Sequence, residues 1–342
     1  MSRPFLAKDI ALQAGVSLAT VDRVLNGREG VRQHTVRRVE QAIRELGQQR
    51  AQVGIVGRKF ILDLVMEAPV RFSDAVRSAL ETEMPALHPA VFRCRHHLSE
   101  KRTAADTVSL LDAIRRRGSN GVLLKAPDVA EIVSAVDRLV REGIPVVALV
   151  TDLPNSRRHA YVGVDNRAAG ETAAYLIGEW LGSRRADVLV TLSSSRFRGE
   201  EEREIGFRRV LRERYPSIDV VEVSEGYGID GATGDLVHAA LRRNPGIAAV
   251  YSAGGGNAAI VQAFAEMRRP CHVFIGHDLD ADNLVLLRSR RISAVLHHDL
   301  RQDMRSACIH VMQAQGALPK SVMSAPSNVS VITPFNMPAA PV

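Results

Sequence analysis

Between about residue 60 and residue 320, short apolar runs alternate with longer amphipathic stretches, and this alternation restricts the possible folds more than any other feature. The runs Ile61–Met66, Gly121–Leu124, Pro145–Val150, Asp187–Leu192, Val220–Val223, Ala248–Tyr251, His272–Ile275 and Ile292–Leu296 read as strands. The stretches between them, from Ser73–Glu83 to Leu300–Ala317, carry apolar residues at helical spacing. Strands that alternate with helices form parallel sheets covered on both faces, because each helix must carry the chain back along the sheet. Eight strands over some 270 residues exceed one modest sheet, so the pattern predicts two doubly wound lobes.

Residues 1–47 have no strand pattern. Leu6, Ile10 and Ala14 share one helical face, and Val21, Val24 and Leu25 share another. A third helix is expected from Thr35 to Leu46, on Val36, Val39, Ile43 and Leu46, with Gly47 as its C-cap. The organisation expected is an all-α head at 1–47, a hinge or linker at 48–59 and an α/β domain at 60–333. Its first lobe takes 60–164 with 297–320, and its second takes 165–296 with 321–333. Pro334, Pro338 and Pro341 mark 334–342 as an irregular tail, and no heptad pattern supports a coiled coil.

The 342 residues carry a formal charge of +7, which suits a polyanionic partner but also mere solubility. Forty of the 45 basic residues are arginine, a planar fork that fits phosphates and guanine edges. Cys94, Cys271 and Cys308 are odd in number and widely spaced, as reduced thiols are and disulfide frameworks are not. No signal-length or membrane-length apolar run is visible, so a cytoplasmic protein without membrane association is expected.

The most specific segment is Lys8–Gly27, KDIALQAGVSLATVDRVLNG. Gly15 permits a tight turn between two helices, Ser17 can N-cap the second, and Ala11 and Ala14 let the helices cross closely. The second helix then turns Leu18, Ala19, Asp22 and Arg23 away from its apolar face, towards a major groove. Residues 1–50 carry a net charge of +4. This run, with the following V...T...V..AI.ELG, resembles the lactose-repressor/galactose-repressor (LacI/GalR) family. The resemblance implies that Leu18, Ala19 and Arg23 face bases while Ser17, Thr20, Asn26 and Thr35 touch phosphates. It also implies a homodimer on a pseudo-palindromic double-stranded DNA operator.

Two departures stand out. Asp22 replaces the family's usual serine, leaving open whether it accepts from a cytosine or braces Arg23. The family's Pro-Asn hinge is absent from Gln48–Gly57, whose two glycines argue against a separate hinge helix. Val53, Ile55 or Val56 would be the substitute for the family's minor-groove wedge.

The resemblance continues in Val162–Gly170, in Arg203–Phe207 (R-x-x-G-F) and in Ile275–Asp278, and it implies a periplasmic-binding-protein-like domain that senses a sugar, polyol or related metabolite. Arg203 and Asp278 match the family's effector-contacting Arg and Asp. Loop position after a strand adds Glu67, Arg71, Lys125, Asp152 and His298 as candidates. Tyr227 reads either as a ring-stacking residue or as a core aromatic. The family's Asn-Asp pair is replaced by Ser252-Ala253-Gly254-Gly255-Gly256-Asn257, from which Asn257 can supply a displaced polar contact and the glycine amides can approach an anion.

Two other function classes remain. An importer's solute-binding protein shares the lobes but not the helical head. The run Gly254-x-Gly256-x-x-Ala259 mimics a dinucleotide fingerprint and would suit an NAD-dependent oxidoreductase, though it leaves the head unexplained. Ser193-Ser194-Ser195 lacks a nucleophile elbow, and the pairs His96-His97 and His297-His298 point to opposite strand faces. Neither enzyme activity, a cofactor nor a metal site is expected.

Overall fold

The computed structural model describes residues 5–55, 57–322 and 327–338, with the backbone alone for 48–55. The head consists of α1 (Ala7–Ala14), α2 (Leu18–Leu25) and α3 (Gln33–Ile55). Gly15 ends α1 at φ 60°, and the guanidinium of Arg38 on α3 donates to the Ala14 carbonyl at 2.7 Å. The Ser17 hydroxyl accepts from the Thr20 amide at 3.2 Å, capping α2 as its residue type predicts. Ile10, Ala14, Val21, Val39 and Ala42 form the buried centre, with Phe5 and Leu46 packed against it.

One expectation fails in α3. The helix does not stop at Gly47 but runs on to Ile55, so Gly47 is a helical residue and not a C-cap, and Gly54 also lies within the helix. The cost of two glycines, about 1 kcal/mol each relative to alanine, is borne within a 23-residue helix whose N-terminal half is packed. The wedge candidates Val53 and Ile55 have only their backbone described, and Val56 lies outside the described residues.

The first lobe is built from β1 (Lys59–Glu67), α4 (Val70–Ala86), β2 (Val91–Ser99), α5 (Ala104–Arg117), β3 (Gly121–Lys125), α6 (Ala130–Arg141), β4 (Val146–Leu149) and β5 (Ala160–Val162). Its five parallel strands lie in the order β2-β1-β3-β4-β5. The second lobe adds α7 (Asn166–Leu181), β6 (Asp187–Thr191), α8 (Arg198–Arg214), β7 (Val220–Val223), α9 (Asp230–Arg243), β8 (Ile247–Ser252), α10 (Asn257–Glu266), β9 (Val273–His277), α11 (Ala281–Arg288) and β10 (Ala294–His297). The chain then returns through α12 (Leu300–Ala314) to the first lobe, where Leu300, Met304, Cys308 and Val311 pack with Phe72, Val76 and Leu80 of α4. The final strand, β11 (Ser330–Ile332), is antiparallel to β10 and completes the order β11-β10-β9-β8-β6-β7. Residues 334–338 contain neither helix nor strand.

Each sheet is covered on both faces by its own apolar clusters, so central strands such as β3 are buried throughout. In open parallel sheets, the loops after the strand C-termini form the natural ligand crevice. Here those ends are Glu67 and Lys125 in one lobe and Thr191, Ser252 and His277 in the other.

Candidate DNA interface and interlobe cleft

On α2, Val21 is fully buried while Ser17, Leu18, Ala19, Arg23 and Asn26 are exposed and Thr20 and Asp22 half-buried. One face of the helix is thus held against α1 and α3, and the other presents short side chains and one arginine at a surface without obstruction from the head. Thr35 lies in the first turn of α3, its hydroxyl 3.2 Å from His34 Nε2. Asp22 braces Arg28 rather than Arg23. Its carboxylate pairs with Arg28 at 3.0 Å and accepts from the Asn26 side-chain amide at 2.7 Å, fixing the loop that leaves α2.

The second site is a cleft between the lobes, enclosing about 700 Å³ including its open mouth. Five of the eight effector candidates line it: Glu67, Arg71, Lys125, Arg203 and Asp278. Tyr227 also lines it, with Lys101 Nζ lying 4.3 Å above its ring, so it is a cleft residue rather than a core aromatic. Thr151, Ser193, Phe197, Glu200, His277 and Asp280 complete much of the wall without having been singled out by sequence.

Arg203 owes its position to two glycines. A Cβ on Gly170 of α7 would lie 1.9 Å from the Arg203 carbonyl oxygen, and one on Gly206 of α8 would lie 2.2 Å from that of Arg167. The R-x-x-G-F segment therefore encodes a helix pair too close for side chains at those two positions. Buried there, Arg203 donates to Asn166 Oδ1 at 2.7 Å and to the Ala253 carbonyl at 3.0 Å.

The lobes are tied across the cleft by polar bonds. Arg71 donates to the Gly228 carbonyl at 2.7 Å and pairs with Asp280 at 3.1 Å. Arg196 pairs with Glu67 at 3.1 Å, and the Gly199 amide donates to Thr151 Oγ1 at 2.9 Å. Lys125 donates to the Glu67 carbonyl at 2.8 Å with its ammonium 3.8 Å from the centre of the Phe197 ring. Burial pushes the Lys125 pKa down and those of Glu67 and Glu200 up. Burial likewise raises Asp280, to about 6, against the opposing pull of Arg71.

His298 lies behind the wall, not in it. It is buried where the chain crosses from β10 to α12, with Nδ1 2.5 Å from Asp303 and Nε2 3.5 Å from Asp278. Burial opposes its charge, but the two carboxylates outweigh it and raise the imidazole to about 9. Burial pushes Asp278 up as well, and the His298 imidazolium more than offsets that, holding it well below the usual carboxylate range. Asp278 itself adopts φ 64°.

Two further candidates fall elsewhere. Asp152 forms an ion pair with Arg158 and accepts from the Leu153 amide, and it is absent from the cleft lining. Asn257 starts α10 and is buried behind the cleft, its amide donating to Asn283 Oδ1 at 2.8 Å. The glycine run before it serves close backbone approach inside the protein. A Cβ would meet the Ser193 amide nitrogen at 2.0 Å from Gly254, Arg71 at 2.8 Å from Gly255 and Thr233 at 2.8 Å from Gly256. These contacts account for the fingerprint-like spacing without a dinucleotide. Ser193 gives its hydroxyl to Glu200, and Ser194 and Ser195 give theirs to Glu225.

Among the described residues no helix is long and apolar enough to cross a membrane, and no group of three His, Cys, Asp or Glu is placed to hold a metal ion.

Residues 70–317 match the model of a periplasmic binding protein domain, and residues 7–50 match that of bacterial regulatory proteins of the lacI family. A curated relative, the HTH-type transcriptional regulator reg1 of Streptomyces lividans, is 29% identical over 220 residues, 60% of this chain. The match spans 58% of that relative's length. Similar solved structures include GanP, a glucose-galactose binding protein from Geobacillus stearothermophilus (20% identity, TM-score 0.72, 82% of this chain and 99% of that one). A transporter solute-binding protein from Burkholderia graminis in complex with D-arabinose aligns at 20% identity and TM-score 0.74, over 83% and 98% of the two chains. A putative LacI transcriptional regulator from Bacteroides fragilis aligns at 15% and 0.70, over 82% and 98%. These structural likenesses establish the two-lobed fold.

Proposed function

The chain belongs to the periplasmic binding protein domain family and carries a lacI-family regulatory domain at its N-terminus, and on that footing we propose that it is a DNA-binding transcriptional regulator controlled by a small polar effector. The observation that carries the proposal is α2, capped by Ser17, buried at Val21 and open at Leu18, Ala19 and Arg23. A helix held this way can lie along base edges while Thr20, Asn26 and Thr35 meet phosphates. The protein acts in the cytoplasm as a homodimer, one head per half-site of a pseudo-palindromic operator, and works as a repressor.

The effector, a sugar, polyol or related metabolite, binds between the lobes and favours one lobe arrangement over another. That change reaches the head through a short path. Only three residues separate the end of α3 from the start of β1, and there Gly57 donates to the Pro89 carbonyl and Arg58 to that of Gln315. Those bonds tie the strand entry to the first lobe, so a shift of that lobe is transmitted to the helix.

Selection of bound fragments from random and genomic duplexes, followed by affinity measurements over a salt series, tests the reading. A recovered consensus with twofold symmetry, bound far more tightly than random duplex, supports it. Equal affinity for all duplexes with identical salt slopes overturns it.

A further inference from the structure

Helix α2 carries an ion pair at its C-terminal end that the helix end itself does not need. Its backbone already closes in a Schellman turn: Gly27 adopts φ 62°, its amide donates to the Val24 carbonyl at 3.2 Å, and the Arg28 amide donates to the Arg23 carbonyl at 2.8 Å. That turn brings Arg28 back towards the helix, where Nη1 donates to Asp22 Oδ2 at 3.0 Å. Asp22 is occupied at both oxygens, since Oδ1 accepts from the Asn26 side chain at 2.7 Å. Arg28 is not: its side chain is 65% exposed, and Nε and Nη2 make no hydrogen bond among the described residues. An exposed pair of this kind adds little stability, because water screens it and ordering both side chains costs entropy. Its placement points to DNA instead. Asp22 lies one turn beyond Leu18, and Arg23 one turn beyond Ala19, so the pair borders the exposed face of α2. Alone there, a carboxylate would face a duplex that carries one negative charge per ~1.7 Å of its axis.

We propose that Arg28 is a DNA-backbone contact and that Asp22 is its positioning residue, holding Nη1 so that the Nε–Nη2 edge of the guanidinium meets a phosphate. The inference rests on the DNA-binding reading above and gives a role to the aspartate that replaces the family's serine. That edge carries two parallel N–H donors, the fork that matches a pair of phosphate oxygens. Because the pair is neutral, it adds no net attraction to DNA of arbitrary sequence. Its contact forms only where the head seats closely, so the pair favours operator over random duplex.

The test uses the full chain, the operator recovered by the selection above and a random duplex, with affinities measured over a salt series. Asp22→Ala combined with Arg28→Ala leaves the net charge of the head unchanged, so random-duplex affinity and its salt slope should match wild type. Operator affinity should fall about fivefold at about 0.15 M salt, the weight of one phosphate contact, and equally for every single-base variant of the operator. Asp22→Ala alone should raise random-duplex affinity and narrow the gap between operator and random duplex. Asp22→Asn combined with Arg28→Gln serves the same purpose should the alanine pair fail to fold. Unchanged operator affinity in the folded double variant overturns the assignment, as does a loss confined to one base position, and either leaves the regulator reading standing. Absence of any selected consensus overturns the DNA-binding reading itself, and this assignment with it.

Discussion

Replacing His298 with glutamine removes the cation held between the buried carboxylate of Asp303 and the partly exposed one of Asp278. His298 is 3% exposed and bridges Asp303 on α12 to Asp278 after β9, so it joins the lobes where the chain crosses between them. Breaking a buried ion pair from one side costs about 3–5 kcal/mol. The imidazole pKa points to a similar size: a rise from 6.5 to about 9 is worth about 3 kcal/mol, counted once for the whole cluster. Because the folded pKa lies above the unfolded one, that stability is fully present below 6.5 and is lost as pH climbs through 9. Trp180, the sole tryptophan, sits on α7, so its fluorescence follows denaturation of the second lobe. At pH 6 the His298→Gln protein should be about 3 kcal/mol less stable than wild type, and the gap should close by pH 9.5 as wild type loses its excess. A gap below about 1 kcal/mol at pH 6, or one that persists unchanged at pH 9.5, refutes the reasoning.

Arg23→Ala should cost about 1–3 kcal/mol on a specific operator and relax base preference, as read by fluorescence anisotropy on operator variants. Asp22→Ser should release Arg28 and raise affinity for random duplex, steepening the salt slope by about one counterion. Gly170→Ala drives a methyl into the Arg203 carbonyl and should destabilise the second lobe by about 3 kcal/mol or more, measured by Trp180 fluorescence in denaturant. Arg71→Ala removes a half-buried cross-cleft tie worth about 1 kcal/mol, so the open population should rise about fivefold in distance distributions between labels on the two lobes.

The βαβ alternation was legible because buried parallel strands are continuous apolar runs, and every such run expected is a strand here. The strands missed are those at sheet margins. β2 reads VFRCRHHLS, with its polar side chains drawn in by partners such as Asp63, which pairs with both Arg95 and His97. β5 and β11 are three residues each, too short to show a period. In the head, Gly15 and Ser17 announced their turn and cap by residue type, whereas Gly47 misled. A glycine favours a helix end only when the following residues have no reason to continue, and here the helix goes on.

The cleft was legible at strand ends and, through the R-x-x-G-F segment, at Arg203 on α8. Position after a strand singled out Glu67, Arg71 and Lys125, but the same rule placed Asp152 there, and the Arg158 ion pair holds it elsewhere. Glu200 and Ser193 were invisible because they matter through each other, seven residues apart across a loop that only the fold closes. His298 follows a strand too, but the connection from β10 to α12 buries its side chain behind the wall.

The ties between the two lobes include guanidinium–carboxylate pairs and an ammonium over an aromatic ring. When such a seam parts, each ion regains its water, so much of what is lost in pairing returns as hydration. Under the proposed function, a cleft ligand would then need only a few kcal/mol of preference to redistribute lobe arrangements. Salt screens such pairs only as far as solvent reaches them, so the partly exposed guanidinium sides of this seam are where ionic strength would act.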